Sequence, residues 1–182
     1  MNFRFPWGLL VLSFEIPTKF LPFLHRRYSK NYQTERKNIE KELNEFSSSE
    51  RTFARFLMND DKRKQSSLKL IPMVIEGPWV VKSIIAGKPV IIGNKLPTSF
   101  SFDAGDKSEG IAEYLEFDLD IGNSSRKAKS IVSTCKTYMK SLTVDIGFVI
   151  QGDTSDELPE QMLGSARIHQ FDASKAKLFP SL

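Results

Sequence analysis

The sequence predicts an α+β fold: an antiparallel-rich curved sheet of about seven or eight strands, one long amphipathic helix and shorter N-terminal helices. Three observations carry this. Short Gly-containing connections separate the apolar runs in the middle of the chain, which makes neighbouring strands antiparallel, because a parallel crossover needs about a dozen residues or more. Leu115, Phe117, Leu119 and Ile121 alternate with polar residues, the period of a half-buried strand. Ala128, Ile131, Val132, Cys135, Met139 and Leu142 recur at helical spacing along one face.

Taken in order, Gly8 to Ile16 reads as a first strand ended by Pro17. Its apolar run is far shorter than the roughly 20 residues of a bilayer span. Glu15 and Pro17 interrupt it and no small-x-small cleavage site follows, so a buried strand is expected rather than a signal peptide. Phe20 to Tyr32 has no clear period. Thr34 to Phe46 reads as helix, with Ile39, Leu43 and Phe46 at helical spacing. Ser47-Ser48-Ser49-Glu50 is a capping box ahead of Phe53, Phe56 and Leu57. Asn59 to Ser67 reads as a charged loop, so residues 30–67 form a charged helical insertion within a single domain of residues 1–182. Strands are expected at Leu68–Val74, Trp79–Ile85, Pro89–Ile92, around Phe100 and Phe102, and at Tyr114–Ile121, Val144–Ile150 and Leu163–Ile168. The long helix runs from Ser124 to Leu142, with Asn123, Ser124 and Ser125 as candidate caps. Ile131, Val132, Cys135 and Met139 should pack it onto the sheet.

Composition narrows the function classes. With 182 residues, 40% hydrophobic and 26% charged, the chain can bury an ordinary core. That excludes a disordered tail, a disulfide-stapled miniprotein and a polytopic membrane protein. A single cysteine, Cys135, can form no internal disulfide and supports no structural zinc site, which fits a reducing, cytoplasmic setting. Lysine and arginine number 26 against 22 acids, and the excess sits between His25 and Lys64, with eleven cations against seven acids. No dense basic face with interleaved aromatics accompanies it, so nucleic acid is not an expected partner.

Catalytic chemistry is also unsignalled. The two histidines, His25 and His169, sit in no acid–His–nucleophile pattern. Cys135 falls on the apolar helix face, where it reads as a small hydrophobe. Asp118 and Asp120 share one face of a strand, too few ligands for calcium and better read as two solvated acids. The turns at Gly87-Lys88-Pro89 and Gly93-Asn94-Lys95 lack phosphate-loop spacing. No enzyme activity, cofactor or metal is expected. Trp79 or Trp7 could anchor a protein partner, although core burial is the default for a tryptophan.

Several blocks stand in a recognisable order: LKLIP at Leu68–Pro72, GPWVVK at Gly77–Lys82, Gly87 through Leu96, EYLEFDLDIGNSS at Glu113–Ser125, DIGFVIQ at Asp145–Gln151 and ELPEQMLGSAR at Glu157–Arg167. Asp172 to Ala176 and the opening stretch Leu12–Pro17 agree as well. Together they resemble the C-terminal domain of the plant Enhanced Disease Resistance 2 family, a domain of unknown function. The matching motif residues are Lys69, Pro72, Gly77, Pro78, Trp79, Lys82, Gly93, Asp118, Asp120, Asp145, Gln151, Pro159 and Gly164. Gln65 to Leu68 and the loop from Asp103 to Ala112 depart from the plant pattern. Plant members often carry a pleckstrin-homology and a START domain ahead of this one, neither of which lies within these 182 residues. Lipid targeting does not transfer from those companion domains. The family context, the basic segment before Leu68 and a cationic helix stripe together lead to the expectation of a non-enzymatic lipid-associated or regulatory module at cytoplasmic membrane surfaces, with an anionic lipid or another hydrophobic ligand as partner. The alternatives are a protein-interaction module without lipid binding and, behind it, an unrecognised enzyme. Arg126, Lys129, Lys136 and Lys140, striped along the long helix, are the candidate lipid contacts. An apolar pocket of several hundred cubic ångströms beside that helix would favour a hydrophobic ligand.

Overall fold

The structure is a computed structural model that describes residues 1–32, 39–85, 87–106 and 108–176. Its strands are β1 (Asn2–Phe5), β2 (Gly8–Val11), β3 (Leu68–Glu76), β4 (Val90–Ile91), β5 (Thr98–Asp103), β6 (Tyr114–Asp120), β7 (Thr143–Ile150) and β8 (Met162–His169). The helices are α1 (Leu21–Arg27), α2 (Ile39–Leu43), α3 (Ser48–Met58), α4 (Asp61–Ser67), α5 (Trp79–Ile84) and α6 (Arg126–Tyr138). The fold is α+β, and its strands form two four-stranded sheets, ordered β2-β1-β6-β5 and β4-β3-β7-β8, rather than one curved sheet. All neighbours are antiparallel except β1 and β6, which run parallel with Asn2 opposite Asp118.

The alternation of apolar residues decides which faces meet. Phe3, Phe117 and Leu119 from the first sheet share a core with Leu68, Ile146, Phe148 and Ile150 from the second, joined by Phe56 of α3. A second cluster is helical: Phe23 and Leu24 of α1, Ile39 and Leu43 of α2, and Ala54, Leu57 and Met58 of α3. The capping box reads correctly, since the Glu50 carboxylate accepts from the Ser47 backbone N–H and hydroxyl, each at 2.8 Å. Of the helix expected over residues 34–46, residues 34–38 lie outside the described residues.

Four expectations are corrected. The strand read at Gly8–Ile16 ends at Val11 and is the second arm of a hairpin with β1. Trp79–Ile84 is helix α5, not a strand: Pro78 at its N-cap fixes an extended entry, and the Val81 N–H turns back to the Pro78 carbonyl at 3.0 Å. The charged loop is largely helix α4, capped by Asp60, whose carboxylate accepts the Arg63 N–H at 2.8 Å. Helix α6 is capped by Ser125 as expected, but none of its residues is fully buried. Ile131, Val132, Cys135 and Met139 are half-buried, and α6 packs beside α5 with Val132 reaching the shared core. A narrow apolar edge flanked by lysines, serines and threonines cannot be covered on both sides.

Candidate functional site

Where the first sheet, the second sheet and helices α1 and α3 diverge, a half-enclosed cavity of about 820 Å³ opens. Its floor is apolar and fully buried, formed by Leu24, Leu57, Leu68 and Phe148. After β2 the chain leaves the sheet edge, and Leu12–Pro17 runs along the cavity as a strap toward α1. Phe14 on the strap meets Phe148 edge to face at 5.7 Å. Gly164 on β8 makes that seat possible, because a Cβ there would stand 3.0 Å from the Phe14 ring. This motif glycine therefore positions the cavity wall.

Six glutamates also line the cavity: Glu15, Glu50, Glu113, Glu116, Glu157 and Glu160. Lys19 pairs with Glu50, and that hydrogen bond, with those from Ser47, holds the carboxyl down at about 2. Arg55 donates to Glu157 at 2.9 Å, and Lys69 to both oxygens of Glu160 at 2.7 and 2.8 Å. Glu157 and Glu160 also accept the backbone N–H groups of Asp153 and Gly152, at 2.8 and 3.1 Å. His25 Nε2 contacts Glu113, while the Asn2 amide and the Ser101 hydroxyl donate to Glu116.

The motif residues do not converge on one centre. Lys69 reaches the cavity wall through Glu160. Pro72 stands opposite Ile146 in the second sheet, and Gly77 and Pro78 form the turn into α5. Gly93 lies against α4, where a Cβ would fall 2.4 Å from the Gln65 carbonyl oxygen, so no larger residue fits without moving backbone. Asp118 is held by Arg4 at 3.1 and 2.9 Å, and Asp120 accepts the Asn123 N–H at 2.9 Å. Their carboxylates thus serve a pair across the inner strands β1 and β6 and a turn. Asp145 pairs with Arg167 across β7 and β8 at 2.6 and 2.8 Å. The Gln151 N–H bonds the Ser67 carbonyl at 2.8 Å, and Pro159 follows Leu158 through a cis peptide bond. Lys82 is exposed on α5. Trp79 is 80% exposed, against the expectation of a core tryptophan.

The cationic stripe lies away from the cavity. Arg126 and Lys129 face solvent on α6, a helix with no acidic residue. Lys136 sits over the Trp7 ring at 4.9 Å, and Lys140 pairs with Asp172 at 3.1 Å. Hydrogen bonds from Ser174 and then Lys140 hold the Asp172 carboxyl down at about 2. His169 Nδ1 shares a hydrogen bond with the Thr143 hydroxyl at 2.8 Å, and burial pushes the Cys135 thiol up, away from the thiolate. No described helix is long and apolar enough to cross a membrane.

Sequence reasoning missed Lys64. It is fully buried, with its ammonium between the rings of Tyr28 and Phe100 at 5.6 and 5.7 Å and no hydrogen-bond partner among the described residues. Burial, and then Arg27, push its pKa down to about 8 against the opposing pull of Asp61 and Asp60. The run Lys62-Arg63-Lys64 concealed it, because a charge triplet carries no sign of which member turns inward.

A family profile described as Protein ENHANCED DISEASE RESISTANCE 2, C-terminal, matches residues 1–172. A protein of Arabidopsis thaliana described as Protein ENHANCED DISEASE RESISTANCE 2-like is 33% identical over 130 residues. That match covers 71% of this chain and 17% of the relative, so the chain spans only a small part of that protein's length. No solved structure matches.

Proposed function

Because this chain belongs to the Enhanced Disease Resistance 2 C-terminal family, we propose that it is a non-enzymatic regulatory module that holds a lipid-like molecule and works at cytoplasmic membrane surfaces. The observation that carries this reading is the 820 Å³ cavity with its buried apolar floor. That volume falls within the roughly 300–1,000 Å³ typical of small-molecule sites, and an apolar floor rewards burial of a hydrocarbon chain. Native mass spectrometry of protein from its own cell type tests it. One lipid-sized adduct is expected, lost in Leu115→Trp, which fills the half-buried β6 wall, while circular dichroism stays unchanged. A parent protein that carries no adduct and takes up no fluorescent fatty-chain probe would end this reading.

Helix α6 supports the membrane part. Each cation near an anionic surface contributes about 1 kcal/mol, so binding to anionic vesicles is expected at low salt and is mostly lost at high salt. Since Lys136 and Lys140 already have partners, Arg126→Glu with Lys129→Glu should weaken vesicle binding more than Lys136→Glu with Lys140→Glu. Equal effects, or none, would reduce the stripe to a solvated face.

The exposure of Trp79 favours a second reading, a protein-interaction module with this side chain as its anchor. Trp79→Ala would then abolish partner binding and leave chain uptake in the cavity unchanged.

A further inference from the structure

The charge around the cavity restricts the head group of whatever enters it. Six glutamates line it, and among the described residues of the lining the cation is the Met1 amino group, with no lysine, arginine or histidine side chain. Lys19, Arg55 and Lys69 stand outside the lining with their N–H groups committed to Glu50, Glu157 and Glu160. His25 offsets Glu113 only when protonated. Glu116 accepts from the neutral donors Asn2 and Ser101 and is offset by the nearby Met1 ammonium, whereas Glu15 makes no ion pair or side-chain hydrogen bond among the described residues. The lining is therefore left with uncompensated negative charge at Glu15 and, where His25 is neutral, at Glu113, beside a buried apolar floor. A carboxylate or phosphate entering there would lose hydration and meet like charge, whereas an ammonium would replace its water with carboxylate acceptors.

Resting on the cavity reading above, we propose that the occupant is a single-chain amphiphile with a protonated amine head, its tail on the floor of Leu24, Leu57, Leu68 and Phe148 and its head among the glutamates. The two charged surfaces of the molecule would then select opposite partners. Helix α6, with no acid, faces anionic head groups, and the cavity refuses them.

The test offers the full chain three ligands of similar tail length at neutral pH: sphingosine, oleate and monoolein, with retention read by native mass spectrometry and titration calorimetry. Sphingosine is expected to bind at least about tenfold more tightly than oleate, as an opposite against a like charge at close range requires. Glu15→Gln, an exposed position, should narrow that ratio, and Glu15→Gln with Glu113→Gln should narrow it further at an unchanged melting temperature. Leu115→Trp should release all three. Oleate or monoolein binding as tightly as sphingosine would overturn the head-group inference and leave the cavity reading standing. Sphingosine retained by Leu115→Trp would mark surface adsorption and also overturn it. Failure of all three ligands to bind would instead remove the cavity reading itself.

Discussion

Phe148→Ala should destabilise the protein by about 3–5 kcal/mol, measured by chemical denaturation. The ring is 2% exposed and belongs at once to the shared core and to the cavity floor. It packs against Phe3 of the first sheet at 6.3 Å and against Phe14 of the strap at 5.7 Å. Removing it therefore loosens three segments together: β7, the neighbouring sheet and the strap. The void would merge with the existing cavity, and rigid strands on both sides limit its collapse. Met162→Ala on β8 is the control, because Met162 is 56% exposed and its loss should stay within about 0.5 kcal/mol. A Phe148→Ala cost below about 1 kcal/mol would mean that the two sheets do not share this core.

Lys64→Met should stabilise the protein at neutral pH by about 1–3 kcal/mol. An ammonium buried without a hydrogen-bond acceptor carries its desolvation cost, and methionine fills similar space without the charge. The rings of Tyr28 and Phe100 return part of that cost through cation–π attraction, which keeps the gain from being larger. The sign of the pH dependence follows from the depressed pKa. Between about 8, the folded value, and the ordinary 10.5, the unfolded chain binds the extra proton, so native stability rises with pH across that window. The advantage of Lys64→Met should accordingly be greatest at pH 7 and shrink as the pH climbs. Measurements stop at about pH 9.5, before tyrosine ionisation enters, since burial raises Tyr28 further above its ordinary range. A destabilised variant at pH 7 would show that the ring contacts outweigh desolvation.

The legible parts of this chain were those with short-range causes. Strand β6 was readable because its period of two shows in Leu115, Phe117 and Leu119, and α3 because Ser47 and Glu50 announce its start. Strand β3 was readable because Leu70 to Ile75 run without a charged residue. The misses share a different cause. Strand β1 is four residues long and takes its parallel partner from β6, more than a hundred residues away. Helix α5 begins with Trp79, Val80 and Val81, residues of high strand propensity, yet Pro78 sets a helical start and only Val81 finds a buried place. Helix α4 has no apolar stripe at all, because its inward face is Lys64 and Ser67.

What the sequence alone determined was the fold class, most strand positions, the long capped helix and the family, since each rests on neighbouring residues or on ordered motifs. Division into two sheets, the exposure of Trp79 and the burial of Lys64 were decided only by the tertiary structure. The cavity belongs with them. Its wall joins Phe14, Leu57, Leu115 and Phe148, which share no local pattern, and its glutamates are scattered from position 15 to position 160. Local periodicity reports which side of an element is apolar. Which apolar sides meet, and where they fail to close, depends on how whole sheets and helices pack, and that is set by contacts between distant parts of the chain.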